Sequence, residues 1–406
     1  MSIPRAIVIG GSLSGLFAAN LLRNIGWDVE VFERTRGDLT GRGAVLGAQA
    51  DLFAVMGRIG IPIDKSIWTR VHSHICLDQD GKVTCEVPVR EATTAWDRVY
   101  RALKNAFPTE RYHGGMTLLG CSQNENEVLA RFANGTCAKA DLLIGADGMR
   151  STVRHELMPD IAPRYAGYAA WRGVVAESHI PSDWRNKALR EMVFCLPAGE
   201  LAFSIPMAAQ DDVGDIRRCA FVWFRPAEYN STLRRWTTDA TGACHGDSIP
   251  PPLIRKEVIA EIRLEARRLL APQLSGLVAR AHEPILSAIF DFETPRMTFG
   301  RIVLVGDAAF VARPHVGTGV TKAALDAQGL VDALAAFNGD LLAALAGYER
   351  GRKSAGSQLV ARGRRLGEHL EPGRSECTGH ATARPPTERL LREYGQGNIA
   401  DWPSEA

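Results

Sequence analysis

The first strong pattern in the chain is an apolar run, Ala6-Ile7-Val8-Ile9, short and β-branched, which reads as a strand buried on both faces. Gly10-Gly11-Ser12-Leu13-Ser14-Gly15 follows, then a helical stretch from Leu16 to Leu22. A second strand, Val29 to Phe32, closes on Glu33-Arg34. Leu52, Val55, Met56 and Ile59 share one face of a helix over 51–59. Residues 71–87 read as a hairpin around Asp78-Gln79-Asp80-Gly81, and 96–107 as a helix. Residues 116–132 hold two strand-like pieces, the first containing Leu118, split by Gln123-Asn124-Glu125-Asn126. Leu142-Leu143-Ile144 is a further buried strand that ends in Gly145-Ala146-Asp147-Gly148, and a helix begins near Ser151.

The pattern then changes. Residues 169–175, 192–196, 201–205 and 219–224 read as strands of a mostly antiparallel second domain. A loop over 239–252 ends in Pro250-Pro251-Pro252, and an amphipathic helix covers 257–270. Arg301 to Val305 is one more buried strand, again ending in Gly306-Asp307. Alanine-rich helices reach to about residue 370, and residues 371–406 carry so little periodicity that a loosely ordered arm is expected.

Strand, glycine turn, helix, strand, acid is the order of a dinucleotide-binding unit. Gly10 permits the tight turn, and Gly15 lets the helix approach the sheet. The first helical turn directs free N–H groups at a pyrophosphate. Glu33 lies where a carboxylate accepts hydrogen bonds from a ribose. The middle glycine of the pattern is Ser12 here, which fits if its backbone still approaches the phosphates with the hydroxyl turned aside or donating.

Composition narrows the class. The 406 residues are 46% hydrophobic, enough for a large core and two or three domains. A net charge of +2 without a long basic run provides no field for nucleic acid. The eight cysteines form no C-x-x-C pair, so neither a disulfide framework nor a metal site is expected. The nucleotide unit begins at residue 6, which leaves no room for a signal peptide, and no apolar stretch approaches the ~20 residues of a membrane span. The expectation is a cytoplasmic protein with no nucleic-acid or membrane partner.

Three motifs stand in order: Gly10 to Gly15 with Glu33, Gly145-Ala-Asp-Gly148, and Gly306-Asp307-Ala308-Ala309 followed by Pro314 and Gly317-Thr-Gly319. Together they resemble the single-component flavoprotein aromatic hydroxylases with the p-hydroxybenzoate hydroxylase fold, over about residues 3 to 370. Tyr165-Ala-Gly-Tyr168-Ala-Ala-Trp171-Arg172-Gly173 and Arg313-Pro314-His315 are most similar to its hydroxypyridine-hydroxylating branch. Two positions depart from many relatives: Phe310 stands where a histidine is common, and Trp96 where an arginine is.

The resemblance implies an α/β chain in which a discontinuous, Rossmann-like FAD-binding domain (1–70, 96–160 and 291–370) is interleaved with a mostly antiparallel β-sheet substrate domain (71–95 and 161–290). Long C-terminal helices and the arm complete it. It implies FAD as cofactor, NADH or NADPH as transient donor without a domain of its own, and a homodimer. It also implies hydroxylation of a small hydroxylated aromatic or hydroxypyridine ring by O2 through a flavin C4a-hydroperoxide.

One helix N-terminus contributes only about 0.3–1 kcal/mol toward an anion, too little to retain a dinucleotide. A second anchor is needed, and hydrogen bonds to a charged carboxylate, about 1.5–3 kcal/mol each, make Asp307 the natural one. The implied cofactor contacts near the amino terminus are Gly10, Ser12, Leu13, Ser14, Gly15, Glu33 and Arg34. Gln49, Leu118 and Asp147 are implied from the middle segments, Asp147 near the nicotinamide route or simply as a strand-end turn residue. Gly306, Asp307 and the turn Gly317, Thr318, Gly319, Val320, Thr321 are implied at the flavin end, where the last three N–H groups meet the negative charge of the reduced ring.

A base that deprotonates the ring's hydroxyl makes it a better nucleophile, and histidine suits neutral pH. Pro314, His315 and His245 are the catalytic candidates, although His315 equally suits a turn cap. His245 lies in Gly242-Ala-Cys-His-Gly-Asp247, a loop expected to be flexible and able to fold over the ring. Gln49, Phe221, Trp223, His245 and Pro314 are the substrate candidates, with core packing the competing role for Phe221 and Trp223. The alternatives are another flavin oxidoreductase on the same fold, an oxidase or reductase, or a non-catalytic flavin-binding protein. A halogenase would show Trp-x-Trp-x-Ile-Pro, which is absent.

Overall fold

The computed structural model describes residues 3–41, 45–63, 67–207, 217–337, 339–371 and 387–394. Arg42, Gly43 and Ala44, in the glycine-rich loop, and most of the expected arm, 372–386 and 395–406, lie outside them. The fold is α/β and divides into two compact units. One comprises Met1–Asp64, Trp96–Arg164 and Asp291–Gly363; the other comprises Lys65–Ala95, Tyr165–Phe290 and Arg364–Ala406.

The first unit is Rossmann-like. Its sheet runs in the order Thr298–Phe299, Ile302–Leu304, Leu142–Gly145, β1 (Arg5–Ile9), β2 (Asp28–Glu33) and Tyr112–Gly114. All neighbours are parallel except the Thr298–Phe299 edge. The registers Ala6↔Leu142 and Ala6↔Val29 put β1 at the centre. Val8, Val31, Ile144 and Val303 are fully enclosed, as strands covered on both faces require. Helix α1 (Leu13–Asn24) is buried along most of its length. Its one buried amide, Asn20, donates from Nδ2 to the carbonyls of Leu16 and Leu103, so the polar group costs little. Helices Ala50–Ile59, Trp96–Ala106, Gly319–Ala336 and Leu341–Gly367 belong to this unit apart from the last few residues of the longest. A small antiparallel sheet of Leu118–Gln123, Val128–Phe132 and Cys137–Ala140 completes it. Phe310 is enclosed against Gly356, where a Cβ would strike its ring, and Trp96 stacks on Tyr100 at 4.9 Å.

The second unit is built on a mostly antiparallel sheet, ordered Ser248–Ile249, Ile285–Glu293, Arg164–Ala176, Arg218–Pro226, Leu201–Met207, Met192–Cys195, Thr69–Leu77 and Val83–Ala95. Only Met192–Cys195 against Thr69–Leu77 is parallel among the registered pairs. One face carries Trp171, Phe221, Trp223, Val193 and Ala202 into a core with Ile262, Leu274 and Leu277 of helices Lys256–Leu269 and Pro272–Arg280.

One part of the expected arm lies among the described residues. Helix Thr387–Glu393 buries Leu390 and Leu391 in this unit. The ring of Tyr394 meets Phe194 and Phe203, and His74 Nδ1 lies 2.7 Å from the Leu391 carbonyl. Three apolar residues at positions 390, 391 and 394 suffice for one helical face, too short a signal to stand out from its polar flanks. Among the described residues no helix is long and apolar enough to cross a membrane.

Candidate functional site

The three motifs converge in the first unit. Gly10 has φ +105°, and a Cβ there would lie 2.5 Å from the Ala146 carbonyl oxygen, so the first turn rests on the second motif. At Gly15 a Cβ would strike the Gly10 carbonyl, which is why this helix can approach so closely. Gly306 has φ +61°, and a Cβ there would strike Ser14 Oγ and lie 2.7 Å from Ser14 Cβ. The first and third motifs therefore touch through a missing side chain.

Ser12 is the N-cap of α1 with extended backbone, and its hydroxyl makes no capping bond. Leu13 is buried and Ser14 half-buried behind it. Glu33 is enclosed: Oε2 accepts from the Gly11 amide at 2.9 Å and Oε1 from the Thr35 amide at 2.9 Å. The acid thus reaches the glycine turn as expected, already engaged in shaping it. Arg34 is exposed on the following bend. Two residues missed from the sequence meet here. Tyr112 donates from its hydroxyl to the Gly11 carbonyl, and the Lys104 ammonium sits over the Tyr112 ring. Both are about a hundred residues from the turn, and neither belongs to a motif.

Asp307 is the open carboxylate of the unit. Its side chain is 52% exposed although Gly306 and Ala308 on either side are buried and protein surrounds it closely, so it forms the floor of a groove. Burial of its surroundings pushes the carboxyl up, and Lys322 opposes that. Lys322 Nζ lies 3.7 Å from Asp307 Oδ1 and 3.7 Å from Asp326 Oδ2. Asp326 accepts from the Gly306 amide at 3.1 Å and from Arg352 Nε at 2.9 Å. Arg154, also enclosed, donates to the carbonyls of Ala308 and Met149.

The turn beyond it is well fixed. Arg313 Nε donates to Asp291 Oδ2 at 2.8 Å with both side chains enclosed. Pro314 is exposed, and its carbonyl accepts from the Gly317 amide at 3.0 Å, leaving a second lone pair. Gly317 has φ +65°. Thr318 caps helix Gly319–Ala336 through its backbone only, and its buried Oγ1 has no partner. Gln49, itself buried, donates from Nε2 to the Gly317 carbonyl at 3.4 Å and accepts the Thr321 hydroxyl at Oε1. Gly319 is exposed and Val320 half-buried.

Several expected assignments change. His315 is fully enclosed, so it presents no surface to a ring. Asp147 accepts from Ser151 Oγ at 2.5 Å and the Val153 amide at 3.1 Å, which ties it to the first turn of helix Thr152–Leu157, whose N-cap is Ser151. Leu118 is buried at the head of its strand. Phe221 and Trp223 are enclosed on the helix-covered face of the second unit, and Trp223 Nε1 donates to Glu200 Oε2 at 2.7 Å. A strand buried on both faces shows no alternation, so the sequence could not say which face they join. The loop of His245 is not free: His245 Nε2 lies 2.7 Å from Asp239 Oδ2, and Asp239 also accepts from Thr241 and Ala243. Those bonds, led by the Thr241 hydroxyl, pull the Asp239 carboxyl down. His245, Phe221 and Trp223 belong to the second unit, and every other candidate to the first.

The donor set suits FAD. Two helix N-termini lack side-chain caps, one glycine turn would be filled by any Cβ, and an open carboxylate lies in the groove between the motifs. Among the described residues no cluster of His, Cys, Asp and Glu could hold a metal ion.

Comparison with known proteins gives the family. A family model described as FAD binding domain-like matches residues 165–291. The 2,6-dihydroxypyridine 3-monooxygenase of Paenarthrobacter nicotinovorans is 32% identical over 377 residues, 91% of this chain and 92% of that protein. The chain belongs to the FAD-dependent aromatic-ring monooxygenases. The monooxygenase is also 29% identical to 3-amino-4-hydroxybenzoate 2-monooxygenase of Streptomyces cremeus, over 92% of this chain and 90% of the other. The solved 2,6-dihydroxypyridine-3-hydroxylase of Arthrobacter nicotinovorans superposes with a TM-score of 0.86 at 31% identity, covering 92% of this chain and 95% of that one. The chain is thus an FAD enzyme, and monooxygenases of this family draw electrons from NAD(P)H.

Proposed function

We propose that the monooxygenase hydroxylates a small hydroxylated aromatic or hydroxypyridine ring, with NAD(P)H as electron donor and O2 as oxygen source. The observation that carries this reading is similarity to a dihydroxypyridine monooxygenase over nine-tenths of both chains, with the three motifs gathered into one groove. The three-segment unit is the FAD-binding domain, and the antiparallel unit is the substrate domain. When bound, FAD supplies the activation of O2 and the transfer of one oxygen atom.

The chain's own residues do the rest. The amides at the start of α1, Ser12 to Gly15, would be offered to the pyrophosphate, those of Gly10 and Gly11 being held by the Phe32 carbonyl and Glu33 Oε2, and Glu33 shapes that turn beside the ribose. Asp307 accepts from hydroxyl groups at the centre of the cofactor. The N–H groups of Gly319, Val320 and Thr321, in the turn held by Gln49, would hold the flavin end of the cofactor and stabilise negative charge there. Pro314 offers its second lone pair beside the reacting edge. His245, oriented by Asp239, remains the candidate base in the second unit; unchanged turnover-versus-pH behaviour in His245→Ala removes it. We further read the enzyme as a cytoplasmic homodimer, in keeping with the free thiols of the seven described cysteines.

The test is a panel of hydroxypyridines and phenols mixed with holoenzyme, NADH or NADPH and isotopically labelled O2. The expected result is ligand-stimulated NAD(P)H oxidation and a product carrying one labelled oxygen. Oxidation that yields only hydrogen peroxide across the panel points to an oxidase and overturns the proposal.

A further inference from the structure

Lys322 is enclosed in the first turn of helix Gly319–Ala336, with its side chain 3% exposed. Its ammonium has no hydrogen-bond acceptor within reach. A cation at that position also meets the positive end of the helix dipole, so burial, missing hydrogen bonds and the dipole all disfavour it. Nearby carboxylates can offset these terms, and two lie at the same distance, Asp307 and Asp326.

The two carboxylates are not equivalent. Asp326 is already paired with Arg352 and holds the Gly306 amide. Asp307 has no such close cation. Arg154, from helix Thr152–Leu157, acts on it electrostatically while its own N–H groups hold the carbonyls of Ala308 and Met149. Tyr348 lies behind Asp326, with its hydroxyl donating to the Leu304 carbonyl. Counting charges on the elements packed here, Arg352 balances Asp326, Arg154 is shared between Asp147 and Asp307, and Lys322 is the nearer cation to Asp307.

We propose that Lys322 is a positioning residue for cofactor retention: its enclosed ammonium keeps Asp307 ionised and aimed into the groove as an acceptor for FAD hydroxyl groups. The inference rests on the FAD reading of this groove and adds a residue that no motif contains. Without the lysine, Asp307 faces the like charge of Asp326 in crowded surroundings, and protonation becomes easier. A protonated carboxyl accepts fewer hydrogen bonds, so FAD leaves more readily as the pH falls.

The experiment dilutes holoenzyme and follows the rise of free-flavin fluorescence to obtain the FAD dissociation constant between about pH 9 and about pH 6. Wild type is expected to change by less than about threefold over that range, and Lys322→Met to weaken about tenfold or more from the alkaline to the acid end, since one unit of carboxyl shift is tenfold in protonation. Lys322→Arg restores the shallow profile. Lys322→Gln, matched in length, serves as the neutral variant should the methionine variant lose its native circular dichroism. A Lys322→Met profile parallel to wild type, or Lys322→Arg as steep as Lys322→Met, overturns the role of Lys322 while leaving the FAD reading intact. Wild type that binds no FAD overturns both.

Discussion

Substituting Gly306 by alanine tests the contact that joins the first and third motifs. The backbone there has φ +61°, a region that costs an ordinary L-residue about 1–2 kcal/mol. The new Cβ would also strike Ser14 Oγ and lie 2.7 Å from Ser14 Cβ. Rotating the serine moves Oγ but not Cβ, so helix α1 itself must shift. Overpacking of this kind costs about 1–3 kcal/mol. The sum is about 2–5 kcal/mol. Urea unfolding of wild type, Gly306→Ala, Ser14→Gly and the double variant measures it. Removing the serine side chain should return the overpacking part and leave the backbone part, giving a coupling of about 1–3 kcal/mol. A Gly306→Ala variant within about 0.5 kcal/mol of wild type, or a coupling near zero, refutes the contact as the link between the motifs.

Asp307→Ala should lose the yellow flavin absorbance while retaining native circular dichroism; full flavin content after gel filtration contradicts the groove assignment. Arg313→Met leaves the enclosed Asp291 without its 2.8 Å partner and should cost about 3–5 kcal/mol in urea unfolding, and a loss below about 1 kcal/mol contradicts it. Lys104 is pushed down to about 8 by burial, against the pull of Asp38, from its ordinary 10.5. Between those values the unfolded chain binds more protons, so stability from this group rises as the pH climbs through that window, and Lys104→Met should flatten the rise in urea midpoint.

Four strands of the first unit's sheet were legible because they are short apolar runs, three of them running into Gly10, Gly145 and Gly306, whereas the short strands Tyr112–Gly114 and Thr298–Phe299 carried no such signal. A glycine at a strand end marks where backbone must pass close to something, and at Gly10 and Gly306 that something is another motif. The resemblance added Asp307 and the turn at Gly317. What stayed hidden shares a cause: Lys322, Arg154, Tyr112 and Lys104 are single polar residues without periodicity, placed by tertiary contacts alone. The enclosed substrate candidates show the reverse. Phe221 and Trp223 lie on a strand buried on both faces, where pattern carries no direction. His315 follows an exposed proline yet is enclosed, because the one-turn helix Pro314–Val316, at about three residues per turn, leaves Pro314 outward while His315 and Val316 are buried.

The interleaving of the two units has a consequence for how the protein is made. β1 leaves the ribosome first, its neighbour Leu142–Gly145 much later, and Ile302–Leu304, which borders that strand in turn, later still. A nascent chain that stops at Phe290 owns the amino-terminal glycine turn but lacks the strand, the acid and the helix start that close the groove. Nucleotide capture therefore waits for nearly the whole polypeptide, and a half-made sheet with an open edge must be kept from pairing with other chains until synthesis ends.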